Sequence, residues 1–336
     1  MTVHECPLPG DRRDAVSSLN GAQAAPHCAV PRHVLFSAKR IDALFDGDTD
    51  DRVDGMLPAP TARLPVQRCM HNGQANVTET VVEEVPVALV YNGISHAVML
   101  ASPQDLEDFA VGFSLGEHIV DNARAIFDIA ATAHPNGIEV RMRIAGDAMD
   151  GLKRQRRQRT GKTGCGLCGI DSLAQFEADA ADGPGAGKTH RAVDARKSIG
   201  QRIAPAAMHA AIDALTTRQP LHAATGAVHA AGWADRDGRL LLVREDVGRH
   251  NALDKLVGAL ARAGIGPESG FAVVTSRASF EMVQKATRAG IGLLAAVSAP
   301  TAMAVRTAEA AGLTLAGFVR NNRHVIYTHA DRLVDG

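Results

Sequence analysis

The alternation of strands and helices over residues 221–336 is the feature that most constrains the fold. The strand-like runs AVHAAGWA and RLLLVRE flank an Asp-Arg-Asp-Gly turn, and FAVVTS, IGLLAAVS and LTLAGFVR follow, separated by helical patterns. Strands that alternate with helices in this way predict βαβ units and a mostly parallel sheet with helices on both faces. Residues 221–336 are therefore predicted to form an α/β domain.

A sheet of this kind also predicts where a ligand binds. Ligands of open α/β sheets lie beyond the carboxyl ends of the strands. The segments predicted at that edge are polar or basic and comprise residues 244–246, 275–279, 298–301 and 320–323. Two of them open helices, whose N-terminal N–H groups suit a phosphate. We therefore expect an anion-binding edge.

A smaller α+β domain is predicted over residues 76–150. Asn92-Gly93 is the dipeptide preferred in type I′ turns, so the apolar runs on either side of it predict a hairpin. Ser102 is predicted to be the N-cap of a helix whose apolar face recurs at Leu106, Phe109 and Phe113. The run IEVRMRI alternates apolar and polar residues and predicts a half-buried strand.

The remaining residues show no sustained period. Residues 1–75 are predicted to be a flexible extension, and residues 151–220 a basic, cysteine-bearing mobile loop and linker.

Composition narrows the class of protein. Apolar residues make up 46% of the chain and charged residues 22%, which is typical of a soluble globular protein. The N-terminus lacks the apolar core of a signal peptide, and no apolar run approaches the roughly 20 residues of a membrane span. The five cysteines are an odd number without a disulfide-like pattern, which favours a reducing cytoplasm. We therefore expect a cytoplasmic protein.

The run RTGKTGCGLCGI, residues 159–170, places Cys165 and Cys168 in a C-x-x-C spacing. A structural zinc site needs four ligands, and no second pair follows at a suitable distance, so no metal is predicted. A thioredoxin-like dithiol stays open because residues 170–173 can start a helix, although the surrounding glycines do not favour a preset redox geometry. The third interpretation is a nucleophilic thiol.

The basic run KRQRRQRTGK, residues 153–162, favours that third interpretation. Nearby cations stabilise a thiolate, which is the attacking form of cysteine. The same run leaves open a nucleic-acid-binding module, yet aromatic residues are only 4% of the chain, so base stacking has little support.

The charged stretch REDVGRHNALDK, residues 244–255, lies at a strand-to-helix junction. The plainer interpretation makes Asp246 a flank of the helix N-terminus and pairs Glu245 with Arg249 on the surface. The functional interpretation makes Asp246 or His250 a proton-transferring group in a cleft.

Taken together, several long motifs resemble the formate dehydrogenase accessory sulfurtransferase family (FdhD/NarQ). They occur in order from about residue 83 to the C-terminus and read EVPVALVYNGISHAVMLASPQDLEDFAVGFSLGE, TGCGLCG, TGAVHAAGW, REDVGRHNALDKL, SRASFEMVQKA and AVSAPTAMAV. The resemblance implies a cytoplasmic homodimer whose larger domain is a three-layer cytidine-deaminase-like α/β domain.

The resemblance also implies a function. Members of the family are sulfurtransferases that carry persulfide sulfur from a cysteine desulfurase to the Mo-bis(molybdopterin guanine dinucleotide) cofactor of formate dehydrogenase. That cofactor is a bound substrate, and no permanent cofactor is implied. The persulfide cysteine corresponds to Cys165, with Cys168 in support. The cofactor-binding segment corresponds to Phe318, Val319, Arg320, Asn321, Asn322 and Arg323, and neither a nucleic acid nor a membrane is expected as a partner.

Overall fold

Alternating apolar residues build a four-stranded sheet in the first half of the chain. The computed structural model describes residues 56–158 and 202–334, with the backbone alone for residues 153–158. The sheet has the order β4-β3-β6-β5, and its strands are β3 (Val85–Tyr91), β4 (Ile94–Ala101), β5 (Ile126–His134) and β6 (Gly137–Ile144). Ile138, Val140, Met142 and Ile144 are buried, as the alternation in IEVRMRI predicts.

The turn between β3 and β4 confirms the hairpin predicted from Asn92-Gly93. Both residues have positive φ, 46° for Asn92 and 81° for Gly93, as a type I′ turn requires. Helix α1 (Leu106–Gly116) then packs on this sheet through Leu106, Phe109 and Phe113. The prediction that Ser102 caps this helix is wrong, because the N-cap position is Asp105.

Three further elements lie outside this sheet. Strands β1 (Thr61–Met70) and β2 (Gly73–Val82) pair as a separate antiparallel hairpin. Helix α2 (Gly146–Gln158) follows β6. The first strand therefore begins within the predicted extension, where apolar and polar residues alternate too weakly to reveal it.

The larger sheet has six strands in the order β12-β11-β10-β9-β7-β8. They are β7 (His229–Asp235), β8 (Leu240–Asp246), β9 (Gly270–Val274), β10 (Leu293–Ala296), β11 (Thr314–Arg320) and β12 (Arg323–Thr328).

This sheet is mixed. Among the described strands, β9, β10 and β11 pair in parallel, whereas β7 pairs antiparallel with both β8 and β9, and β12 antiparallel with β11. The prediction of a mostly parallel sheet is therefore not confirmed. Strands β8 to β11 nevertheless point the same way, so their carboxyl ends share one edge of the sheet.

Helices cover both faces of the larger sheet. On one face, α5 (Arg249–Ala263), α6 (Phe280–Arg288) and α7 (Ala302–Ala311) enclose a core that includes Trp233 and Leu294. On the other face, α3 (Pro205–Thr217) packs Met208 and Leu215 against strand residues such as Phe271. The short helix α4 (Pro220–Thr225) leads into β7. The specific likeness to cytidine deaminases stays a prediction.

Helices α1 and α5 cross at two glycines, and this crossing joins the two sheets. A Cβ added to Gly112 would overlap the carbonyl oxygen of Asp254, and one added to Gly258 would overlap that of Asp108. Arg262 adds a hydrogen bond to the Asp108 carboxylate at 2.6 Å. The backbones can approach this closely only because neither glycine has a side chain.

The described residues fall into one compact unit within residues 51–336. Helices α3 and α4 lie inside the segment predicted to be a loop and linker, residues 151–220. The expected flexibility of residues 1–55 and 159–201 concerns residues outside those that the structure describes.

Candidate functional site

The tip of the β11–β12 hairpin carries most of the predicted cofactor-binding segment. Asn321 and Asn322 form its two-residue turn with φ values of 51° and 55°. Such a turn requires positive φ at both positions, which asparagine tolerates better than most residues. Arg320 and Arg323 flank the turn as directly opposed partners in the strand register.

Like charges directly opposite each other on a hairpin are destabilising. Both arginine side chains are exposed, and within the described residues neither is paired with a carboxylate. An anion placed between the two guanidinium groups would remove this repulsion, and guanidinium is well shaped to bind phosphate.

Phe318 and Val319 precede the turn and face opposite ways. The register between β11 and β12 is irregular between Gly317 and Arg320, and Phe318 adopts a positive φ of 53°. This bulge exposes the Phe318 ring, which lies 5.9 Å from the Arg320 guanidinium. The Val319 side chain is fully buried in the core, so only its backbone is available to a ligand.

A cavity of about 590 Å³ lies against this hairpin. Its volume is within the range of small-molecule sites. It is lined by Phe318, Arg320, Asn322, Arg323, His324 and Val325, none of which is acidic. We call it the hairpin pocket. Its place beyond the carboxyl end of β11 agrees with the edge predicted from the sheet.

A pair of histidines joins this pocket to helix α3. His209 Nε2 lies 3.0 Å from His324 Nδ1, and the two ring centroids are 5.2 Å apart. Burial, followed by the nearby His324, lowers the pKa of His209, while Asp213 acts in the opposite direction. A hydrogen bond between two neutral imidazoles needs one ring to donate and the other to accept.

At the other end of the same edge, the stretch 244–255 forms a buried polar cluster. Lys255 Nζ lies 2.7 Å from Asp246 Oδ2, and both side chains are fully buried. Asp246 also accepts hydrogen bonds from the backbone of Ser102 and Gly248 and from Asn251 Nδ2. Lys255 donates to the Ser102 carbonyl at 3.0 Å. A carboxylate enclosed in this way is not available as a proton-transferring group.

The surface pair predicted between Glu245 and Arg249 is also wrong. Glu245 is buried, and its two oxygens accept from the backbone N–H groups of Leu221 and His222 at 3.0 and 2.8 Å. Glu245 therefore holds the start of helix α4 against the end of β8.

His250 contacts a carboxylate on the neighbouring helix. Its Nε2 lies 3.1 Å from Glu281 Oε2, and Ser279 donates to the same oxygen at 2.9 Å. These contacts, with that of His250 the largest, lower the pKa of Glu281 to about 2. A carboxylate at that distance fixes the orientation of the imidazole.

Cys165, Cys168 and the whole basic run 153–162 lie outside the residues whose side chains the structure describes. In the ranges 56–158 and 202–334, no three or more His, Cys, Asp or Glu residues are grouped to hold a metal ion. No helix in the same ranges combines the length and apolarity needed to cross a lipid bilayer.

Two histidines of the candidate site were not anticipated. His324 directly follows the predicted segment. Because β12 continues past Arg323, the strand pattern there could have indicated that His324 belongs to the same site. His209 is 115 residues earlier in the chain, and no local pattern links the two.

Comparisons with known proteins agree with the motifs. The FdhD/NarQ family model matches residues 82–334. A sulfur carrier protein FdhD from Xanthomonas oryzae pv. oryzae is 51% identical over 270 residues, which span 79% of this chain and 90% of that protein. A sulfur carrier protein FdhD from Cupriavidus necator is 54% identical over 255 residues, 76% of this chain and 84% of that protein.

A solved structure shares the fold. It is described as a formate dehydrogenase accessory protein from Desulfotalea psychrophila, and it aligns with a TM-score of 0.61 and 22% identity over 82% of this chain and all of that one. The family model spans three quarters of the chain, and relatives above 50% identity span slightly more. The chain belongs to the FdhD/NarQ family.

Proposed function

We propose that this protein is a sulfur carrier that passes persulfide sulfur to the molybdenum cofactor of a formate dehydrogenase. The observation that carries the proposal is the identity above 50% to proteins named sulfur carrier protein FdhD over more than three quarters of this chain. The matched region, residues 82–334, includes both cysteines of the C-x-x-C motif.

The sulfur is carried on Cys165. Its thiolate attacks the terminal sulfur of a persulfide on a cysteine desulfurase, the S–S bond of that persulfide breaks, and the desulfurase cysteine leaves as a thiolate. One sulfur atom moves as S⁰, so no external oxidant or reductant is needed. The cations of residues 153–162 favour the attacking thiolate. Cys168 has a supporting role.

The acceptor is Mo-bis(molybdopterin guanine dinucleotide), which the protein binds as a substrate. Its phosphates would supply negative charge to the opposed Arg320 and Arg323, which no carboxylate of the described residues pairs. The hairpin pocket is large enough for a nucleotide moiety, and Phe318 offers an exposed aromatic face beside it. The working form is proposed to be a cytoplasmic homodimer that meets the desulfurase and the formate dehydrogenase in turn.

Mass spectrometry of the intact protein tests the carrier directly. The purified full chain is incubated with a cysteine desulfurase and cysteine, and the added mass is located by peptide mapping without reduction. We expect one added sulfur atom on Cys165, none in Cys165→Ala, and retained sulfur in Cys168→Ala.

The same experiment separates the competing functions. Loss of two hydrogens across Cys165 and Cys168, with no added sulfur, would instead identify a dithiol oxidoreductase. A Cys165→Ala variant that still supports full formate dehydrogenase activity in cells would contradict the carrier proposal.

A further inference from the structure

The His209–His324 pair is the polar feature beside the hairpin pocket that the proposed function does not use. His324 lines the pocket, and His209 lies behind it on α3. The two ring nitrogens are within hydrogen-bonding distance at 3.0 Å. Both side chains are only partly exposed.

The groups around this pair determine its charge. Helix α3 contributes His209 and Asp213, β11 contributes Arg320, and β12 contributes Arg323 and His324. Among the described residues that line the pocket, two are arginines and none is acidic. Without a ligand, partial burial, followed by the nearby His324, lowers the pKa of His209, and Asp213 acts against both.

A bound phosphate reverses this balance. An anion within about 4–6 Å of an imidazole favours its charged form. A protonated pair keeps its hydrogen bond, because the imidazolium donates to the lone pair of the neutral ring. The geometry therefore allows the pair to hold one extra proton without breaking the contact between α3 and β12.

We propose that the His209–His324 pair takes up one proton when a phosphate-bearing ligand enters the hairpin pocket, so that His324 becomes a third cationic contact beside Arg320 and Arg323. The inference rests on the proposed function for the identity of that ligand, the guanine nucleotide part of the molybdenum cofactor. In this binding reaction, the free protein, one ligand and one proton from the solvent combine to give the protonated complex.

Calorimetric titration with guanosine diphosphate (GDP) tests the proposal on the full-length protein. Titrations between pH 6 and 8.5, in pairs of buffers with different ionisation enthalpies, give both the affinity and the number of protons taken up. We expect proton uptake approaching one per pocket, and an affinity that rises by up to about tenfold per unit as the pH falls through this window.

Three variants test which histidine binds the added proton. His324→Gln should flatten the pH dependence, so that its own GDP affinity changes by less than about twofold between pH 6 and 8.5. His209→Gln keeps an acceptor for His324 and should retain part of the uptake, whereas the double variant should retain none. His134→Gln, at an exposed position on β5, is the matched control and should titrate like the wild type.

Ligand fragments identify the group that attracts the proton. Inorganic pyrophosphate should show the same linkage as GDP, and guanosine should show none. Equal uptake with guanosine would overturn the role of the phosphate.

GDP binding without proton uptake, or with an unchanged pH profile in His324→Gln, would overturn the inference alone. Absence of GDP binding by the wild-type protein at every pH would overturn both the inference and the nucleotide assignment of the pocket. The sulfur-carrier proposal would still stand, because it depends on the persulfide at Cys165.

Discussion

Lys255 Nζ contacts Asp246 Oδ2 at 2.7 Å in a place where water reaches neither side chain. The pair joins helix α5 to the end of β8, and both partners also bind the backbone of Ser102, at the end of the smaller sheet. Breaking a buried ion pair by removing one partner leaves an uncompensated charge in the interior.

Lys255→Met should therefore lower the free energy of unfolding by about 3–5 kcal/mol, measured by urea denaturation at pH 7. The matched control is Arg68→Met, which removes the cation of the exposed Arg68–Glu79 pair and should cost about 1 kcal/mol or less. Equal losses of unfolding free energy in the two variants would show that the buried pair contributes no more to stability than the exposed pair.

The close packing of helices α1 and α5 at their glycines predicts a second large effect on stability. Gly112→Ala improves helix propensity by about 1 kcal/mol, but its methyl group would overlap the Asp254 carbonyl and push α1 away from α5. We expect a net destabilisation of about 1–3 kcal/mol in the same denaturation assay. Gly146→Ala, in α2 with open space around its Cβ, should be neutral or slightly stabilising. A stabilised Gly112→Ala variant would refute the close crossing.

Replacing one arginine of the hairpin should have opposite effects on stability and binding. Arg323→Gln removes the repulsion with Arg320 and should stabilise the ligand-free protein by about 0.2–1 kcal/mol. The same variant should bind GDP at least about tenfold more weakly, since a charge-assisted contact to phosphate is lost.

Thermal unfolding without ligand and GDP titration measure the two quantities separately. Arg143→Gln, at an exposed position on β6 in the smaller sheet, is the control and should leave GDP binding unchanged. Unaltered GDP affinity in Arg323→Gln would mean that the opposed arginines do not form an anion site.

The contact between His250 and Glu281 predicts a dependence of stability on pH. The pKa of Glu281 is lowered from 4.5 to about 2 in the folded protein, so the unfolded chain binds the proton more readily. Stability from this contact is complete above about pH 5 and is lost as the pH falls towards 2. Because the Glu281 side chain retains 17% exposure, water screens part of the interaction, and we expect Glu281→Gln to cost about 1–2 kcal/mol at pH 7.

Denaturation of both proteins at intervals from pH 7 to pH 2.5 checks this expectation. The difference between wild type and Glu281→Gln should shrink with decreasing pH, and a constant difference would exclude the ionised carboxylate as its source.

Local patterns predicted local structure well. The Asn92-Gly93 turn and the buried positions of IEVRMRI follow from backbone sterics and side-chain alternation, which act between near neighbours in sequence. The shared edge of β8 to β11 followed from the alternation of strands and helices.

Contacts between distant residues were not predictable in this way. Ser102 was assigned to a helix start because its sequence neighbourhood fits a cap, whereas its partner Asp246 lies 144 residues further along the chain. Likewise, the apolar run AVHAAGWA predicts a strand but not that β7 runs antiparallel between β8 and β9. Pairing direction depends on tertiary packing.

The close approach of α1 and α5 has a consequence for how the molecule melts. A boundary made of close backbone packing at Gly112 and Gly258, and of buried charges such as Asp108, cannot separate without exposing packed backbone and parting the Asp108 carboxylate from Arg262. Neither sheet can then unfold while the other keeps its native surface. The heat capacity trace should accordingly show the two sheets melting in one cooperative transition, with equal calorimetric and van't Hoff enthalpies.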